Sequence, residues 1–118
     1  AIKSVILQTY PKKLTEIIVV DDGSTDDTRD VLEELIISKT IKYFYQSNQG
    51  KASATISGIN ISTGNIIFCL DADDTFLPGK IQATVDVFKV FPHVVHVSTP
   101  ALIIYANQES TIEKVPKF

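Results

Sequence analysis

Apolar and polar positions run along this chain in blocks, and each block ends at a Pro, a Gly or an acidic run. In residues 1–9, Ile2, Val5 and Ile6 fall at helical spacing, and the block stops before Tyr10-Pro11. Taken alone, residues 5–7 also read as a strand. Residues 16–20 are a β-branched run closed by Asp-Asp-Gly, the pattern of a strand buried on both faces. Ser24 or Thr25 can cap the next helix, with Asp26, Asp27 and Asp30 crowding its first turn and Val31, Leu32, Leu35 and Ile36 forming its apolar stripe. Residues 41–45 predict a second strand and 46–50 a polar loop. Ala52, Ile56 and Ile59 predict a helix over 51–61, stopped by Gly64. Residues 65–70 predict a third buried strand that ends abruptly in Asp-Ala-Asp-Asp. Pro78 suits the first turn of a helix whose buried face is Leu77, Ile81, Val85 and Phe88, closed by Pro92. Residues 94–98 and 102–105 read as strands, with Pro100 forcing a bend or an edge between them. The tail, 107–118, has weak periodicity. Helices alternating with strands predict an α/β fold: a mostly parallel sheet with helices on both faces.

Composition narrows the classes. The chain has 118 residues, 44% hydrophobic and 21% charged, which suits one globular core and argues against disorder. No apolar run approaches the roughly 20 residues that cross a bilayer, and no signal peptide is visible. The net charge is −3, with no basic stripe of the kind that binds a nucleic acid polymer. The single cysteine, Cys69, excludes an intrachain disulfide and a Cys-based zinc cluster, and it suggests a reducing compartment. The absence of Met, even at position 1, leads us to expect a processed chain or a piece of a longer one.

The chemistry is concentrated in two acidic clusters that follow predicted strands: Asp21-Asp22, and Asp71 with Asp73 and Asp74. In an open parallel sheet, ligands bind beyond the carboxyl ends of the strands, so both clusters are expected at one edge. Five carboxylates on one rim repel one another unless a cation or hydrogen-bond donors compensate. Mg²⁺ or Mn²⁺ with phosphate is the natural complement to hard oxygen ligands. Asp21-Asp22-Gly23 also reads as an ordinary strand-ending turn. Asp26, Asp27 and Asp30 read as helix-end charges, and Cys69 as a small hydrophobe inside a buried strand. His93 falls in a loop and His96 within a strand, where a structural role is commoner than a ligand role. Tyr43, Phe44 and Tyr45 read as strand packing with a polar tip.

Residues 19–28 read VVDDGSTDDT and residues 68–78 read FCLDADDTFLP. Asn48-Gln49-Gly50 and Gly58-Ile59 stand between them, and Gln8-Thr9-Tyr10-Pro11 stands upstream. This string, over about residues 1–92, resembles the nucleotide-sugar-binding half of the inverting glycosyltransferase family with the GT-A fold. The resemblance implies a Rossmann-like, truncated sheet and a single partial domain over 1–118 that binds the donor. It implies transfer of a hexose from a nucleotide-diphospho-sugar, a UDP-sugar foremost, to an acceptor hydroxyl with inversion. The acceptor would be a glycan, a lipid or a protein, as in polysaccharide or cell-envelope biosynthesis. The expected location is cytoplasmic, at the inner face of the membrane in a full-length parent. By the same resemblance, Asp22 would accept a hydrogen bond from the base ring, and Asp73 would ligate a divalent metal, Mn²⁺ or Mg²⁺. Asp71 would contact the ribose and the metal with its water shell, and Asp21 and Asp74 would be supporting acids. A metal would stabilise the charge that grows on a diphosphate leaving group. Lys51 is a further phosphate partner or, equally, a solvated residue in the first turn of its helix.

The sequence departs from the family in several places. The family has a strand with a Thr-Tyr-Asn-type ending before the first helix, whereas this chain begins inside that helix. Where the family carries Ala-Arg-Asn or Ala-Leu-Asn, this chain has Ala54-Thr55-Ile56-Ser57, so no Arg reaches the nucleotide. The acceptor region and the acidic general base are expected beyond Phe118, with Glu109 and Glu113 unassigned, so the piece alone is expected to be inactive. The absent strand would lie between 17–20 and 66–70. Those segments are therefore expected to pair directly or with another chain, through self-association at exposed edges. One rival reading takes Asp71-Ala72-Asp73-Asp74-Thr75 as Asp-x-Asp-x-Thr, which resembles the haloacid-dehalogenase phosphatases with Asp71 as nucleophile and Asp73 as acid/base. It leaves Asp21-Asp22-Gly23 and Asn48-x-Gly50 unexplained. A second rival is a non-catalytic nucleotide-sugar-binding module.

Overall fold

The computed structural model describes residues 1–99 and the strands Ala101–Ile104 and Ser110–Glu113. The chain forms two compact units, Ala1–Gln82 and Ala83–Phe118. In the first, β1 (Ile18–Asp22) pairs in parallel with β2 (Lys42–Gln46), in the register Ile18↔Lys42 through Asp22↔Gln46. Parallel neighbours need a crossover. Here it consists of α2 (Thr28–Val31) and α3 (Glu33–Ile37), two short helices in place of the one expected. The helix starts at Thr28, not beside Ser24: the Asp26 carboxylate accepts the Thr28 amide at 3.0 Å, while the Ser24 amide donates to Asp21. The N-terminal block is helical over α1 (Ile2–Ile6), as its period predicts.

The helix α4 (Lys51–Ile61) has the predicted bounds but shows a different face. Its Ile56 and Ile59 are 58% and 44% exposed. The small side of the helix meets the sheet instead, where a Cβ added to Gly58 would lie 3.3 Å from Val20 Cγ2. Close approach to a strand selects the residue without a side chain over the larger apolar ones. Ala52, Ile56 and Ile59, whose spacing predicts the helix, thus lie on its solvent face.

Residues 65–70 do not form the expected third strand and do not pair with β1. A strand is a property of a pair, and the ladder of β1 goes to β2 while 65–70 has no ladder partner among the described residues. Ile66, Phe68 and Leu70 are half-buried while Ile67 and Cys69 are exposed, so Cys69 is not the buried hydrophobe expected. Ile18–Val20 are likewise half-buried, not covered on both faces.

Glu16 ties the start of this layer together. One carboxylate oxygen accepts Lys42 Nζ at 2.7 Å. The other accepts the Thr63 amide at 2.5 Å, Thr63 Oγ1 at 2.9 Å and the Gly64 amide at 2.9 Å. The Lys42 contact, followed by the Thr63 amide, lowers the Glu16 pKa to about 2. The turn after α4 is therefore anchored to the amino ends of both strands.

The helix α5 (Lys80–Val90) begins two residues after Pro78. Its Ile81 and Val85 are buried and Phe88 half-buried, as predicted, but Leu77 precedes the helix and is exposed. In the second unit β3 (Ala101–Ile104) pairs antiparallel with β4 (Ser110–Glu113). Residues 94–98 are not a strand, so His96 is not a strand residue. Pro100, Tyr105 and Glu109 lie outside the described residues. No helix among the described residues is long and apolar enough to cross a membrane. The fold class is α/β, with a parallel strand pair flanked by helices.

Candidate active site

The first pair of acids is part of β1 and does not merely follow it. Consecutive strand residues point to opposite faces, so Asp21 and Asp22 enter different surroundings. Asp21 is buried, only 5% exposed. It accepts the Tyr43 hydroxyl on Oδ2 and the Ser24 amide on Oδ1 at 2.7 Å. Burial pushes its carboxyl up, but the Tyr43 and Ser24 bonds outweigh burial and leave it below the usual range. In return the Tyr43 phenol is raised to about 12, chiefly by its bond to Asp21. The Arg29 guanidinium sits 6.0 Å from the Tyr43 ring centroid. Asp21, Ser24, Asp26, Arg29, Tyr43 and Tyr45 line a cleft of about 180 Å³ that includes none of the other candidate acids.

Asp22 turns the other way. It lies opposite Gln46 in the ladder and accepts Gln46 Nε2 at 2.7 Å. It also accepts the Gln49 amide at 2.9 Å and the Gly50 amide at 2.8 Å. The Gln49 bond, then that of Gln46, lowers its pKa. Gly50 caps α4 at φ 86°, where a side chain is strained. The Asn48-Gln49-Gly50 turn is thus wrapped around the carboxylate at the end of β1.

Next along the chain, Lys51 Nζ reaches Asp71 Oδ2 at 2.5 Å. The Asp71 bond, and then the charges of Asp71, Asp74 and Asp73, raise the Lys51 pKa. Both acidic motifs therefore meet at the start of α4: Asp22 holds the amide of Gly50, and the following side chain holds Asp71. Asp71, Asp73 and Asp74 each place a carboxylate oxygen within 4.8 Å of the others, all on the surface. The Asp74 amide donates to the Asp71 carbonyl at 3.1 Å, which turns the loop back on itself. Three carboxylates and one ammonium leave two negative charges, and an all-oxygen donor set suits a hard divalent cation. The residues present fit such an ion.

The sequence singles out Asp21, Asp22, Lys51, Asp71, Asp73 and Asp74, and the structure groups all but Asp21 around one helix terminus. The sequence does not single out Gln46 and Tyr43 as carboxylate partners. Register is the signal that identifies them: Gln46 stands opposite Asp22, and Tyr43 is on the Asp21 face, two residues along β2.

Comparison with known proteins identifies the family. Residues 1–113 match the family described as Glycosyl transferase family 2. An uncharacterized glycosyltransferase of Nostoc sp., alr2836, is 44% identical over 91 residues, which cover 75% of this chain and 28% of that protein. The uncharacterized glycosyltransferase RC0461 of Rickettsia conorii is 45% identical over 82 residues, 70% of this chain and 13% of the relative. Glycosyltransferase GlyA of Streptococcus pneumoniae is 40% identical over 72 residues, 60% of this chain and 10% of the relative. The chain thus spans less than a third of each of these relatives. No solved structure gives a significant match.

Proposed function

The chain belongs to glycosyl transferase family 2, and from that premise we propose that it is the donor-binding part of an enzyme that moves a sugar from a nucleotide-diphospho-sugar to an acceptor hydroxyl with inversion. The observation that carries the reading is the junction at the start of α4, where Asp22, Gly50, Lys51 and Asp71 link the two acidic motifs. The family match weighs against the phosphatase reading, which has no use for Asp22 or the Asn48–Gly50 turn.

In this reading Asp73 and Asp71 would hold Mn²⁺ or Mg²⁺, with Asp74 beside them. The cation, when bound, supplies a Lewis acid that stabilises charge on the departing diphosphate. The side chains around it divide the remaining work. Asp22 holds the turn at Gln49 and Gly50 and, with three of its roughly four acceptor sites taken, would offer the remaining one to a donor group of the base, such as a ring N–H of uracil. Lys51, paired with Asp71, carries the ammonium that would face a phosphate. Asp21 shapes the strand end through Tyr43 and Ser24 and touches no donor. Hexosyl specificity, UDP as the nucleotide, a glycan, lipid or protein acceptor, and a cytoplasmic location belong to the same proposal.

Calorimetric titration with UDP, with and without Mn²⁺, tests it. Binding is expected only with the cation, and Asp73→Ala should weaken it by at least about tenfold, the low end for disturbing a metal's surroundings. Tight binding without metal, unchanged in Asp73→Ala, would refute the reading.

A further inference from the structure

Resting on the cation reading above, we infer that Gln8 is a positioning residue for the acidic loop: its buried carboxamide locks the segment behind Asp71–Asp74 to α1 and so keeps the three carboxylates together. Gln8 is only 8% exposed and is among the few buried polar side chains. Its Nε2 donates to the Leu77 carbonyl at 2.9 Å and to the Ser4 carbonyl at 3.1 Å, and its Oε1 accepts the Ile81 amide at 3.1 Å. One turn earlier on α1, Ser4 Oγ accepts the Phe76 amide at 3.0 Å. Three backbone groups between Phe76 and Ile81 are thus tied to two side chains some seventy positions away in sequence. Each end of the acidic loop carries a ring, and these meet edge to face: Phe68 and Phe76 have centroids 6.1 Å apart at 69°.

The loop needs outside restraint. Like charges within 4.8 Å drive the three carboxylates apart, and Lys51 offsets only one of them through a surface ion pair, a weak contact. Leu77 is exposed, so burial holds the returning segment only at its two ends, through half-buried Phe76 and buried Ile81. Between them the Gln8 and Ser4 bonds supply the polar, directional restraint. A buried amide that loses its partners leaves the backbone groups it served unsatisfied, which makes the arrangement all-or-none in character.

The test uses the full chain, with Mn²⁺ alone as probe. Gln8→Met keeps the volume and removes all three hydrogen bonds; Ser4→Ala removes the Phe76 contact together with the exposed Oγ bond to the Ala1 carbonyl at 2.6 Å, and keeps the backbone bonds of α1. In each variant, shown to be folded at the titration temperature by circular dichroism, Mn²⁺ affinity is read by calorimetry. Exchange of the Asp74 amide is read by NMR without metal. For Gln8→Met the expected result is Mn²⁺ binding weaker by about tenfold and faster Asp74 exchange, with a smaller change in the same direction for Ser4→Ala. A residue that only stabilised the fold would lower the melting temperature without changing Mn²⁺ affinity in the folded protein. Wild-type affinity and wild-type Asp74 exchange in both folded variants, while Asp73→Ala loses the ion, would overturn the positioning role and leave the cation reading intact. Equal Mn²⁺ binding by wild type and Asp73→Ala would instead overturn the cation reading, and the inference with it.

Discussion

Glu16→Gln removes one charge and tests how the layer under the site is held. In the wild type the carboxylate gathers Lys42 from β2 and the Thr63 and Gly64 amides from the turn after α4. A glutamine keeps one accepting oxygen but turns an NH₂ group toward either the ammonium or the amides. The folded pKa is lowered from 4.5 to about 2. At about 1.4 kcal/mol per unit, that shift sets a ceiling of roughly 3–4 kcal/mol. Lys42 and Glu16 side chains are 53% and 24% exposed, so solvent screening reduces the expected loss to about 1–2 kcal/mol. For a domain of this size that is a fall in Tm of about 4–10 °C. The assay is urea denaturation of both proteins from pH 7 down to pH 2.5. Because the folded pKa lies below the unfolded one, the contribution of Glu16 is complete above about pH 4.5 and disappears as pH falls toward 2. The gap between the proteins should therefore be constant from pH 7 to 5 and then narrow. No gap at neutral pH, or one that stays constant to pH 2.5, would refute the reasoning.

Two further outcomes follow from the same contacts. Tyr43→Phe leaves buried Asp21 without its hydroxyl donor and should destabilise by about 1–2 kcal/mol at pH 7 in urea titrations. Since the phenol is raised to about 12, its contribution is present below pH 10 and is lost as pH rises through 12, so wild type and variant should converge in alkali. Gly23→Ala meets both a φ of +83° and the Asn48 amide nitrogen 2.7 Å from the added Cβ. Strain of that kind is worth about 1–3 kcal/mol before the clash is counted, so a melting temperature unchanged by this substitution would contradict the turn geometry.

Much of the first unit was legible in the order of residues. The helical period of residues 1–9, the bounds of the 51–61 helix and the two strands leading to acids and a polar loop are local patterns. Local patterns survive whatever they pack against. The five candidate acids were legible too, because Asp-Asp-Gly and Asp-Ala-Asp-Asp interrupt apolar runs with charges that a core holds only when they are paired. Three things were not legible. Strand status for residues 65–70 needed a hydrogen-bonding neighbour, and β-branched composition does not supply one. The face of α4 that meets the sheet was chosen by how closely Gly58 can approach Val20, a distance no periodicity contains. The partners of the acids were the third. The alternation of a strand determines that Asp21 and Asp22 diverge, but only the register with β2 decides that Tyr43 receives one and Gln46 the other. Likewise the sequence placed Gln8 before a turn and Asp71 after an apolar run. Only the fold brought α1 against residues 76–81, since hydrogen bonds spanning seventy positions depend on where the chain returns, not on what lies beside it.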